Sequence, residues 1–102
     1  MYNDTNTPQQ AKAKRIIRKA LFNGFAVSVS DGEGGWAATR SRDFDTILAA
    51  VGEMDMDELV FHDLAAGKRA GWMMLVWEYG GHPDELPADY TDNPAMEALA
   101  NA

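Results

Sequence analysis

The sequence predicts a single α+β domain in which elements in the order α-ββα-ββα build a four-stranded antiparallel sheet with helices mainly on one face. Apolar residues recur at three- and four-residue spacing in some segments and alternate strictly in others. The period changes at glycine-containing turns. Consecutive strands joined by short turns pair as antiparallel hairpins, and helices between hairpins pack on the sheet those hairpins form.

Pro8 to Asn23 reads as the first helix. Thr7 is placed to cap it, Pro8 takes the first helical position, and Ala13, Ile16, Ile17, Ala20 and Leu21 form one apolar stripe. Residues 1–7 are expected to be a frayed or disordered tail, with residues 8–102 forming the domain. Phe25 to Ser30 alternates as a half-buried strand that exposes its serines. The turn Asp31-Gly-Glu-Gly-Gly35 returns the chain as the strand Trp36 to Arg40. Ser41 or Asp43 then caps a helix carrying Phe44, Ile47, Leu48 and Val51, which Gly52 ends.

Asp57 to Asp63 reads as the third strand, Ala65 to Arg69 as its hairpin turn, and Gly71 to Tyr79 as the fourth strand. A loop with two glycines and two prolines follows, and Asn93-Pro94 opens a last helix to Ala100. The fourth strand is apolar on both sides: Trp72, Met74 and Val76 lie on one face, Met73, Leu75, Trp77 and Tyr79 on the other. A sheet with helices on one face needs only one apolar set. Three covers are open for the second: the C-terminal segment folding back, a second copy of the chain, or a foreign protein.

Length and composition bound the function. A chain of 102 residues supports one core. With no cysteine, disulfides and thiolate metal sites are excluded. No apolar run approaches a membrane span and the N-terminus lacks a signal-peptide layout, so the expected setting is the cytoplasm. The net charge of −7 is unevenly spread: Lys12, Lys14, Arg15, Arg18 and Lys19 cluster, whereas from residue 20 onward 15 acidic residues face 4 basic ones. Such an acidic body repels phosphate backbones and is a poor general binder of nucleic acid. The basic cluster offers the alternative of a nucleic-acid-associated factor, but reads more simply as a solvated helix face.

No constellation points to catalysis, a metal or a cofactor. His62 and Asp63 are neighbours on a strand and point to opposite faces, so they do not form a dyad. His82, Asp84 and Glu85 read as a solvated acidic loop, short of the convergent ligand set of a metal site. Asp89-Tyr-Thr-Asp-Asn-Pro94 serves as a staple and cap for the last helix, and Asp89 with Tyr90 is also a candidate acidic-aromatic contact surface.

The hairpin Val27-Ser-Val-Ser-Asp-Gly-Glu33, the strand Gly71-Trp-Met-Met-Leu-Val-Trp77 and the segment Asp89-Tyr-Thr-Asp-Asn93 resemble those of small proteins encoded in phages, prophages and plasmids of proteobacteria. The resemblance implies an accessory role on a mobile element, modulating a host or defence protein, and carries no catalytic residues. The expectation is a non-enzymatic protein-binding module, self-associated as a dimer or bound to another protein. Its partner-facing candidates are Met73, Trp77, Tyr79, Asp89 and Tyr90.

Overall fold

The structure, a computed structural model, describes residues 7–78 and 80–102. Most of the expected frayed tail, and Tyr79 with it, lie outside the described residues. The elements are α1 (Pro8–Phe22), β1 (Phe25–Ser30), β2 (Trp36–Ser41), α2 (Phe44–Ala50), β3 (Met56–Asp63), β4 (Lys68–Val76), a 3-10 turn (Pro83–Glu85), β5 (Asp89–Tyr90) and α3 (Pro94–Ala100). The sheet is antiparallel throughout, in the order β2-β1-β3-β4-β5.

The helices start where local chemistry dictates. Thr7 accepts the Gln10 N–H while the Gln10 side chain accepts the Thr7 N–H, a reciprocal capping box. Asp43, rather than Ser41, caps α2 through the Thr46 N–H. Asn93 caps α3 through the Met96 N–H at 2.8 Å, and its amide also donates to the Ala70 carbonyl of β4 at 3.0 Å, tying helix start to sheet.

The sheet has five strands, not four. Asp89 and Tyr90 pair with Met74 and Met73, and the Ala88 and Thr91 amides donate to the Met74 and Trp72 carbonyls on either side. A two-residue strand has no periodicity to read, so only its pairing with β4 defines it. The fourth strand is also displaced. It begins at Lys68 and ends at Val76, because Val76 pairs with Met56, the first residue of β3; past that pair the Trp77 N–H donates to the Asp55 carbonyl at 2.9 Å and the ladder stops. Trp72 therefore lies mid-strand, and Trp77 and Glu78 leave the sheet. The Glu78 N–H is taken up by Gln9 Oε1 of α1, whose amide nitrogen reaches the His82 carbonyl at 3.4 Å. Gln9 is buried, and so holds the chain leaving β4 against α1.

One core holds the three helices on one side of the sheet. Ile16 and Ile17 of α1, Ile47 of α2 and Met96 and Leu99 of α3 pack with Val27, Val29, Leu59, Phe61, Met73 and Leu75. Each of these side chains is fully buried, and burial of one such side chain stabilises the fold by roughly 1.5–3 kcal/mol. The C-terminal segment thus joins the face already covered by α1 and α2. It does not cover the second face of β4.

Gly71 shows how closely α3 approaches. A Cβ there would overlap Met96 Cγ and stand 2.6 Å from its Sδ, and Met96 has no exposed surface into which to retreat. Gly71→Ala is expected to cost about 1–3 kcal/mol, as overpacking of a filled core does, measured as a lower urea midpoint with an unchanged denaturant slope.

Candidate functional site

Strand alternation sends Met73 and Leu75 into the helix-covered core and Trp72, Met74 and Val76 to the opposite, helix-free face. Beside them β3 presents Glu58, Val60 and His62, with Glu58 opposite Met74 and Val60 opposite Trp72. The next strand, β1, contributes Ala26 opposite His62 and Ser28 opposite Val60. Trp72, Met74 and Val76 are half-buried, whereas Ala26, Ser28 and Val60 are buried although no helix among the described residues lies above them. Ser28, expected to be exposed, is one of them.

One end of this face is apolar with acidic flanks. The Trp72 indole N–H donates to Glu58 Oε2 at 3.1 Å, which holds the ring across the strand pair, and exposed Asp89 borders Met74. The other end is polar and is shaped by two β-bulges. Between the pairs Val27↔Ser41 and Val29↔Ala38, β2 carries one extra residue, and Arg40 adopts a left-handed φ of 43°. Its N–H donates to Ser28 Oγ at 2.8 Å, and Ser28 Oγ lies 2.9 Å from His62 Nε2. The hydroxyl donates to Nε2 when the imidazole carries its proton on Nδ1 and accepts from Nε2 when the proton is there, so the direction of this contact follows the tautomer. The second bulge falls between Phe61 and His62 on the β3–β4 ladder and sets Arg69 opposite His62.

Burial holds the His62 pKa below its ordinary value, and the nearby charges of Arg40 and Arg69 add to the effect. Ser28 is only 2% exposed, which withholds its hydroxyl from a substrate and makes the Ser28–His62 contact a brace across β1 and β3.

The residues singled out in the sequence are not gathered into one surface. Met73, expected to face a partner, is fully buried under the helices and is core. Trp77 is half-buried against that core, and its indole N–H donates to Oδ2 of buried Asp57 at 2.7 Å, an oxygen that also accepts the Gly52 N–H. It braces the loop before β3. Tyr90 packs against the core while Asp89 stays exposed at the sheet edge. The basic cluster of α1 is engaged within the chain. Lys12 is buried, Lys14 is half-buried, and Arg18 stacks 4.6 Å above the Phe44 ring. Arg15 and Lys19 donate to the carbonyls of Ala102 and Ala98 at the C-terminal end of α3. In the loop after β4, His82 caps the 3-10 turn by accepting the Asp84 N–H, with Glu85 returning a bond to the His82 N–H.

No family model, curated protein or solved structure matches the chain. No helix among the described residues is long and apolar enough to cross a membrane.

Two outcomes follow from these contacts. Because His62 is harder to protonate in the folded chain, the unfolded chain binds the proton more readily below its ordinary value of 6.5. The stability contributed by neutral His62 is therefore complete above pH 6.5 and lost as pH falls through the lower folded value. His62→Gln flattens that part of a plot of unfolding midpoint against pH. Trp77→Phe keeps an aromatic ring but removes a donor to a buried carboxylate, and is expected to cost about 1–3 kcal/mol in chemical denaturation.

Proposed function

We propose that this chain is a non-enzymatic protein-binding module of the mobile-element accessory kind. It acts in the cytoplasm by docking the helix-free sheet face onto a host or defence protein. The observation that carries this reading is the one-sided placement of the helices. It leaves Trp72, Met74 and Val76 as an apolar row with no helix over them among the described residues. Tryptophan and methionine are favoured in the centres of protein interfaces, where a large side chain excludes water around itself. Glu58 and Asp89 flank the row, and the whole chain carries −7, so the complementary partner presents an apolar patch edged by lysine and arginine. The nucleic-acid reading draws less support, since Lys12 is buried and Arg15, Arg18 and Lys19 have partners within the chain.

The test places a photoreactive phenylalanine derivative at Met74 on the sheet face, with Glu97 of α3 as the control position. Cross-linking to another protein from position 74 and not from 97, weakened by salt, is the expected result. Met74→Lys keeps an aliphatic stem over the sheet, so stability is expected to change by less than about 1 kcal/mol while the adduct is lost. Equal cross-linking from both positions overturns the reading. An adduct with a second copy of the chain, with a doubled mass in light scattering, replaces the foreign partner by a homodimer.

A further inference from the structure

We propose that the polar end of the sheet face is a binding site for the phosphate group of a small phosphomonoester, held by Arg40, Lys68 and Arg69 with His62 at the back of the pocket. This site is separate from the apolar row and does not depend on the docking reading.

From residue 20 onward the chain has only four basic residues. Arg42 is tied to the Leu21 and Phe25 carbonyls at 2.9 and 2.7 Å, and the other three line a single pocket of about 310 Å³ with His62 and Asp63. They reach it from separate strands, β2 and β4, through the two bulges that flank the Ser28–His62 brace. Bulges re-aim side chains, and here two of them turn an arginine toward the same imidazole. Arg40 is also the one non-glycine residue with positive φ among the described residues, a conformation that costs energy and is held in place by the bond to Ser28.

The charges in the pocket are only partly compensated. None of the three cations forms a salt bridge among the described residues, and the one acid lining the pocket, Asp63, spends Oδ1 on the Ala66 N–H in the hairpin turn. Three cations against one carboxylate leave two net positive charges, matching a phosphomonoester dianion better than a single carboxylate. Arginine supplies forked donors that fit the several oxygens of a phosphate. A pocket of this size, at the lower end of the small-ligand range of roughly 300–1,000 Å³, has room for the phosphate and a modest organic group. A nucleic-acid strand would have to continue across the acidic remainder of the surface, whereas a small anion stays within the reach of the three cations.

The test is an NMR titration of the intact chain in low salt with phenyl phosphate, alongside inorganic phosphate, benzoate and a short single-stranded oligonucleotide. Saturable shifts at Arg40, His62 and Arg69 with phenyl phosphate and inorganic phosphate, and much weaker ones with benzoate, are expected. The bound dianion should also raise the His62 pKa, read from its ring resonances. Arg69→Gln and Arg40→Gly are each expected to weaken binding by about tenfold or more, the loss of one charge-assisted contact. Both side chains are exposed and glycine accepts the left-handed φ, so the fold is retained. Arg15→Gln, outside the pocket, leaves binding unchanged. Binding of benzoate as tight as that of phenyl phosphate, or affinity that survives the Arg40→Gly and Arg69→Gln pair, overturns the site. Tighter binding of the oligonucleotide overturns the choice of a small ligand.

Discussion

The burial of a single apolar face of the sheet governs the rest of this molecule. Val27 and Val29, Leu59 and Phe61, and Met73 and Leu75 form adjoining rows on β1, β3 and β4, and leave water only if every helix stands on their side. With α1 and α2 over β1 and β2, the remaining rows of β4 need α3, and Gly71 provides the gap into which Met96 fits. The chain between β4 and α3 is then held short of the open face by Gln9, which satisfies backbone groups at Glu78 and His82. The basic side chains of α1 serve the same arrangement. Arg15 and Lys19 meet carbonyls at the negative end of α3, and Arg18 covers Phe44 of α2.

A sheet tolerates a bare face because strand pairing satisfies its backbone groups whether or not anything lies above them. The side chains of that face are then released from core packing and carry two different chemistries here. At one end Trp72, Met74 and Val76 stand between Glu58 and Asp89. At the other, two bulges direct Arg40 and Arg69 around His62. Ala26, Ser28 and Val60 on the same face are buried.

Much of the architecture was legible from local signals. Thr7 and Asn93 each stand just before a helix with an apolar stripe and act as caps, and of the two candidates for α2, Ser41 and Asp43, it is Asp43 that caps. The alternation of Phe25, Val27 and Val29 placed β1 to the residue. The fourth strand was legible as two rows, but both rows are apolar, so the choice of which one meets the helices was not. That ambiguity put Met73 on the partner side. Trp77 was misplaced because the end of β4 is set by where β3 begins. The arginine pocket left no trace in the sequence, since Arg40 and Arg69 lie far apart along the chain and converge only through bulges that no spacing announces.

By itself the sequence determined the class, the helices, the hairpins, and an acidic composition with no apolar run long enough for a membrane-spanning helix, because each follows from short-range periodicity and composition. Tertiary structure alone decided the fifth strand, the side on which α3 docks, and the assembly of a cationic pocket in an acidic chain. Each of these depends on pairing or packing between segments distant in sequence, and local patterning is equally compatible with the alternatives. The doubly apolar strand is where the two meet: its alternation was written in the residues, and only the packing of Met96 on Gly71 fixed which face of it stays open.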